Sequence, residues 1–125
     1  MRQGGLVLKD ICIDVASPWQ AKDFWSLALG YSHAGFDDED REWFASLGRT
    51  PETCHTLKLE GDGVPVWLNE VPEPKTAKSR VHLDVIGVSV ADLVAAGATV
   101  VREPDEDINW TVMLCPDGNE FCAFP

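Results

Sequence analysis

The chain has 125 residues, of which 45% are hydrophobic and 25% are charged, and its formal net charge is −11. This composition is typical of one globular domain that is large enough to bury a core, and it excludes a disordered chain. The acidic field repels phosphate backbones, which argues against nucleic acid as a partner. No apolar run is long enough to span a membrane, and Met1–Lys9 lacks the apolar stretch of a secretory signal. We therefore expect a cytoplasmic protein whose cysteines remain free thiols.

The first half of the chain predicts a strand, a helix and then further strands. Leu6–Val15 alternates apolar and polar residues with the period of a strand. Ser17 and Pro18 are typical of a helix start, apolar residues then recur at helical spacing, and Gly30 is typical of a helix end. The further strand candidates are Tyr31–Phe36 and Glu42–Leu47, around an acidic turn, and a hairpin of Cys54–Leu59 with Val64–Val71.

After a proline-rich linker at 72–79, the order of elements begins again. The elements predicted there are a strand at Val81–Val88, a helix between Ser89 and Gly97, a strand at Ala98–Arg102, and a hairpin of Trp110–Leu114 with Glu120–Phe124. Each half therefore reads as a strand, a helix and two or three strands. The simplest account is an internal duplication of a βαβββ unit. We predict a single domain over 1–125, with modules at about 6–71 and 80–125.

Three segments, in chain order, carry a resemblance to a known family. Ser17–Tyr31 is similar to a capped helix that follows a first strand, Pro116–Glu120 to a turn before a last strand, and Val71–Asp84 to an inter-module segment. Together they resemble the vicinal oxygen chelate superfamily, and within it the glyoxalase-like and bleomycin-resistance-like branch that is common in actinobacteria. The resemblance implies an α+β fold in which two βαβββ modules pair their curled mixed sheets around a cleft. It also implies a homodimer.

Metal-dependent members of this superfamily take their ligands from the first and last strands of each module. The first-strand positions correspond to Asp10 and His82, and the last-strand position of the second module corresponds to Cys122, where the family has glutamate. The first module offers Leu68 or Asn69 at its last-strand position, and neither is a carboxylate. The resemblance thus implies an incomplete metal set of Asp10, His82 and Cys122. Two alternatives stay open: no cofactor, or a divalent zinc, nickel, iron or manganese ion.

Strand alternation by itself also gathers polar side chains on particular faces. The sets that share a face are Asp10, Cys12 and Asp14, then His82 and Asp84, then Glu120 and Cys122. Carboxylates buried without partners would cost several kcal/mol each, so these faces are expected to line a solvated cleft.

Within that cleft, two groups are candidates for acid–base chemistry and four for ligand contact. His82 and Glu120 are the acid–base candidates, with a structural histidine and a salt-bridged carboxylate as the alternatives. The candidates for ligand contact are Asp14, Trp67, Asp84 and Trp110. Plain packing is the alternative for the two tryptophans. Trp25 is predicted to lie in the core, and Trp43 to be either a lid residue or a surface contact.

Three functions compete on this basis. The first is a binding protein that holds a small apolar or cationic molecule between tryptophans and carboxylates. The second is a metal-dependent lyase, isomerase or dioxygenase of the vicinal oxygen chelate type. The third is an interaction or dimerisation module, because a fold does not fix a function.

Overall fold

The computed structural model describes residues 8–125, as two mixed sheets packed against helices. The first half contains β1 (Ile11–Val15), α1 (Pro18–Leu29), α2 (Asp38–Ser46), a 3-10 helix at Pro51–Thr53, β2 (Thr56–Leu59) and β3 (Val66–Glu70). The second half contains β4 (Leu83–Ile86), α3 (Val90–Ala95), β5 (Thr99–Arg102), β6 (Thr111–Leu114) and β7 (Glu120–Phe124). Leu6 and Val7, where the first strand was predicted to begin, lie outside the described residues. None of the described helices is long and apolar enough to cross a membrane.

The two sheets have related topologies. In the first sheet, β3 lies in the centre, parallel to β1 and antiparallel to β2. The second sheet has the order β4–β7–β6–β5, with β4 parallel to β7 and the other two pairs antiparallel. In both halves, the first strand therefore pairs in parallel with the last strand of the same half. The predicted α+β class is confirmed.

The predicted helix boundaries are confirmed by their caps. The Ser17 hydroxyl accepts a hydrogen bond from the Gln20 backbone N–H at 3.3 Å, and Pro18 occupies the first turn. Gly30 ends α1 in the left-handed region at φ 68°, which glycine adopts without strain. In the second half, the Ser89 hydroxyl accepts from the Asp92 backbone N–H at 3.1 Å.

The strand predicted at Glu42–Leu47 is wrong, because most of this segment belongs to α2. The acidic residues before it do not form a turn between strands. Asp37 accepts a hydrogen bond from the Asp40 backbone N–H, and the Asp40 side chain accepts one from the Asp37 backbone N–H. This capping box, together with carboxylates in the first turn, favours a helix start because both satisfy or complement the unpaired N–H groups there.

The strand predicted at Tyr31–Phe36 is reduced to a single bridge between Ser32 and Glu60. The Tyr31 hydroxyl donates to the Val64 carbonyl oxygen at 2.9 Å, which holds this segment against the β2–β3 turn. Within residues 8–71, the first half therefore lacks the third paired strand of a βαβββ unit, and α2 lies at that point of the chain.

The core lies between the helices and one face of each sheet. Phe24 and Trp25 of α1 pack edge-to-face on Phe121 of β7, with ring centroids 5.7 and 5.8 Å apart. Ile13, Val15 and the apolar residues of β2 and β3 that share their face are buried in the same cluster. The opposite faces of the two sheets carry the polar side chains, and we call these the open faces.

Candidate functional site

Three potential metal or proton-transfer groups meet on the open face of the second sheet. Asp84 of β4 lies directly opposite Cys122 of β7, and His82 immediately precedes β4. The His82 Nδ1 atom lies 3.6 Å from Asp84 Oδ1 and 3.9 Å from Cys122 Sγ. The three donor atoms lie within 4.8 Å of one another. We call this the His82 cluster.

The thiol of Cys122 is not an activated nucleophile. Burial raises its pKa, and the neighbouring Asp84 carboxylate raises it further, whereas the positive charge of Lys78 lowers it. The net direction is upward from 9.0, so the free thiol stays protonated at neutral pH. The Cys122 thiol would have to lose its proton in order to bind a metal ion.

Asp10, the third member of the predicted metal set, lies apart from the His82 cluster. It precedes β1 in the first sheet and forms an ion pair with Lys9. The hydrogen bond from Lys9 is the main reason why the pKa of Asp10 is lowered. Side-chain hydrogen bonds from Trp67 and from the Cys12 thiol, the latter long at 3.9 Å, lower the pKa of Asp10 further.

Glu120 serves as an anchor for the linker. Its carboxylate accepts hydrogen bonds from Lys75 Nζ at 2.8 Å and from the Ser79 backbone N–H at 2.9 Å. These two contacts, the lysine first, lower the pKa of Glu120 from 4.5 to about 2. A carboxylate with this pKa is a weak base at neutral pH, so the acid–base role predicted for Glu120 gains no support from its surroundings.

Several aromatic side chains line a half-open cavity of about 240 Å³ beside the open face of the first sheet. We call it the aromatic pocket. The aromatic and polar residues that line it are His33, Phe36, Asp40, Trp43, Phe44, Thr56, Lys58, Glu60 and Trp67. Trp67 was predicted from its strand, whereas Trp43 and Asp40 come from α2, the helix that the sequence pattern did not show.

The residues that line this pocket contact one another and the residues behind them. His33 Nδ1 lies 3.3 Å from the Lys58 carbonyl oxygen, and its ring packs on Phe36 with centroids 4.6 Å apart. His55 packs edge-to-face on Trp43 at 4.8 Å. The Lys58 ammonium pairs with Glu60 at 2.9 Å and lies 5.7 Å from the Trp67 ring centroid.

The other two predicted ligand residues lie elsewhere. Asp14 borders a groove of about 230 Å³ between the edge strands β1 and β4, which Cys12 and His82 also line. Trp110 stacks on Phe124 at the second sheet, with ring centroids 5.3 Å apart. The predicted ligand set is therefore distributed over both open faces and the groove between them, and no single cavity contains all of it.

The fold and these open, polar-lined sheet faces define an α+β protein of two related halves. The model of the glyoxalase-like domain matches residues 10–124, so the chain belongs to the glyoxalase-like domain family. No match to the chain was found among curated proteins.

Solved structures with the same fold include several of the glyoxalase/bleomycin-resistance type. A glyoxalase/bleomycin resistance protein/dioxygenase family enzyme from Burkholderia phytofirmans has a TM-score of 0.62 and 18% identity, covering 92% of this chain and 94% of its own. A possible glyoxalase from Bacillus cereus has a TM-score of 0.63 and 16% identity, covering 97% and 100%. The fosfomycin resistance protein FosX from Listeria monocytogenes, in complex with Mn(II) and a dihydroxypropylphosphonic acid, has a TM-score of 0.62 and 11% identity, covering 94% and 88%.

Proposed function

We propose that this protein binds a small planar organic molecule, preferentially a cation, in the aromatic pocket. The observation that carries the proposal is the cavity of about 240 Å³ between the rings of Phe36, Trp43 and Trp67. Drug-sized ligands occupy pockets of about 300–1,000 Å³, so this cavity suits a molecule of one or two rings.

The charges around the pocket favour a cationic ligand. Glu60 is paired with Lys58, whereas Asp40 forms no ion pair among the described residues; its carboxylate accepts a hydrogen bond from the Asp37 backbone N–H at 3.1 Å. A cation over a tryptophan face gains about 0.5–2 kcal/mol. The Lys58 ammonium, 5.7 Å from the Trp67 ring centroid, already makes such a contact on one of the two rings. A planar cation would be attracted both by the aromatic rings and by the Asp40 carboxylate, whereas a neutral molecule of the same shape would contact the rings alone.

A matched pair of probes tests this proposal by isothermal titration calorimetry. N-methylquinolinium and quinoline have nearly the same shape, but only the first is charged at neutral pH. We expect N-methylquinolinium to bind about fivefold more tightly than quinoline, and Trp43→Ala to weaken its binding by about fivefold or more. Equal affinity for the two probes would remove the preference for cations.

The matched control for the pocket is Trp110→Ala, which removes a tryptophan from the second sheet. It should leave the affinity for N-methylquinolinium unchanged, because Trp110 stacks on Phe124 outside the aromatic pocket. Weakened binding in Trp110→Ala with unchanged binding in Trp43→Ala would place the ligand on the second sheet and contradict the proposal.

A metal-dependent reaction is the second candidate, and the His82 cluster is the observation that favours it. An imidazole, a carboxylate and a thiol within 4.8 Å of one another match the nitrogen, oxygen and sulfur ligands that zinc accepts. The residues that would hold the ion are His82, Asp84 and Cys122. Such an ion supplies Lewis-acid polarisation of a bound oxygen, as a lyase, isomerase or dioxygenase of this superfamily would use. The Mn(II) complex of FosX shows that a protein with this fold accommodates a metal, at 11% identity.

Zinc titration of the apoprotein distinguishes this candidate without any assay of activity. We expect one zinc ion per chain, competing with a chelating dye, and loss of at least tenfold in affinity in Cys122→Ser. Cys12→Ser removes an exposed thiol outside the cluster and is the matched control. Affinity that is equal in the two variants would show that zinc does not use the His82 cluster.

A homodimer also belongs to the proposal. The edge strand β4 carries Ile86, and Val81 lies just before it; their side chains are 73% and 83% exposed, which is unusual for apolar groups at a sheet edge. Pairing of two chains would cover them. Sedimentation equilibrium should then give twice the chain mass of 13.7 kDa.

A further inference from the structure

Most of the described lysines and arginines of this acidic protein form ion pairs, and two of them do not. Residues 8–125 contain nine lysines and arginines, and seven of them form ion pairs with carboxylates. Within the same described range, Lys78 and Arg80 are the two that form none. They are separated by one residue, in the segment that joins the two halves.

These two cations border the same cavity. It is a shallow depression of about 360 Å³ that is open to solvent, and it is lined by Lys78, Ser79, Arg80 and His82. The His82 ring contributes Nδ1 to the His82 cluster, and no hydrogen-bond partner is recorded for its Nε2 in the described part of the chain. This depression is therefore bordered by one ammonium group, one guanidinium group and one imidazole nitrogen.

The backbone between the two cations is held in place. The Ser79 N–H donates to Glu120 at 2.9 Å, and Lys75, four residues earlier, pairs with the same carboxylate at 2.8 Å and donates to the Gly118 carbonyl oxygen at 3.3 Å. Because the loop is tied to β7 on this side, binding an anion there does not require ordering of the backbone.

We propose that residues 78–82 bind the oxyanion group, carboxylate or phosphate, of a small molecule and hold it beside the His82 cluster. An unpaired guanidinium and an unpaired ammonium are the groups that proteins use for such anions, and a guanidinium can donate two parallel hydrogen bonds. With a net charge of −11, the rest of the surface repels anions, so an unpaired basic loop is the place where one would be retained.

The electrostatic coupling within the second sheet supports this placement. The positive charge of Lys78 lowers the pKa of the Cys122 thiol, although burial raises that pKa by more. An anion bound at Lys78 would therefore lie within electrostatic reach of the His82 cluster. The proposal does not depend on the aromatic pocket, which borders other residues of the first sheet.

The test uses benzoate, phenyl phosphate and neutral benzamide as probes of similar size, with binding followed through the backbone amide resonances of 78–82 in ¹H–¹⁵N spectra. We expect at least one of the two anions to bind and benzamide not to bind. Lys78→Ala and Arg80→Ala should each weaken the anion about 3- to 10-fold, because each removes one charge-assisted contact. Both residues are exposed, so the variants are expected to fold. Binding of benzoate alone would identify a carboxylate group, and binding of phenyl phosphate alone would identify a phosphate group.

Arg102→Ala is the matched control. It removes the same net charge from the edge strand β5, where Arg102 is already paired with Asp105 at 2.9 Å, and should change the affinity less than twofold. If Arg102→Ala and Arg80→Ala weakened anion binding equally, the effect would come from the overall charge of the protein and not from the loop. This result would overturn the proposal. The absence of binding by both anions at 10 mM would also overturn the proposal. Neither result would alter the test of the aromatic pocket with N-methylquinolinium.

Discussion

At the scale of single residues, some site residues followed from the sequence and others did not. The resemblance placed His82 and Cys122 in one implied metal set, and their side chains lie 3.9 Å apart, although the strand register pairs Cys122 with Asp84. Asp84 joins them because it shares a face with His82 and lies opposite Cys122. The separation of Asp10 from the His82 cluster could not be predicted, since the alternation within one strand does not reveal which strands pair in which sheet.

The Glu120–Lys75 pair makes a prediction about acid stability. The Glu120 and Lys75 side chains are only 15% and 22% exposed, so this pair should contribute more than an open surface pair, about 1–2 kcal/mol. Because the folded-state pKa of Glu120 is lowered from 4.5 to about 2, the contribution is fully present above pH 4.5 and is lost as the pH falls toward 2.

Glu120→Gln should therefore reduce the free energy of unfolding at pH 7 by about 1–2 kcal/mol and flatten its decline between pH 4.5 and 2. Urea denaturation at a series of pH values measures both effects. Glu106→Gln, an exposed carboxylate without a recorded partner in the described part of the chain, is the control and should leave the profile unchanged. A Glu120→Gln profile parallel to that of the wild type would contradict the role of the ion pair.

At the scale of elements, local signals predicted most boundaries. The serine caps, the ending glycines and the hairpin turns lie within a few residues of the bonds that they make, so the sequence shows them directly. Helix α2 was missed because its charged residues hide the helical period and its buried face consists mainly of Phe44. The signal that was present is the Asp37–Asp40 capping box at its start.

The contact between Tyr31 and the β2–β3 turn makes a second stability prediction. A Cβ atom at Gly61 would overlap the Tyr31 ring, which is held by its hydroxyl's hydrogen bond to the Val64 carbonyl oxygen. Gly61→Ala should cost about 1–3 kcal/mol in thermal or urea unfolding, the usual range for overpacking.

A double-mutant cycle separates this overlap from an effect on the turn itself. In a Tyr31→Ala background, the cost of Gly61→Ala should largely disappear, because the overlapping ring is gone. An equal cost in both backgrounds would show that the turn backbone, and not the ring, requires glycine.

At the scale of the whole molecule, the two open faces have different chemistry. The first carries the aromatic pocket with tryptophan faces and Asp40, which suit a planar cation. The second carries the His82 cluster, and the loop that precedes β4 carries Lys78 and Arg80, which form no ion pair among the described residues and suit an oxyanion. The fold class was predictable because the repeated order of elements and the resemblance cover nearly the whole chain. Which polar groups share a cavity was not, because that depends on sheet register and on where α2 lies.

The central claim is that the aromatic pocket binds a planar cation, and the indole N–H resonances of the five tryptophans test it most directly. They are assigned in ¹H–¹⁵N spectra by replacing each tryptophan singly with phenylalanine, and N-methylquinolinium is then added. The resonances of Trp43 and Trp67 should shift in a saturable manner, and that of Trp110 should not shift. Shifts confined to Trp110, or no saturable shift at Trp43 and Trp67, would contradict the central claim.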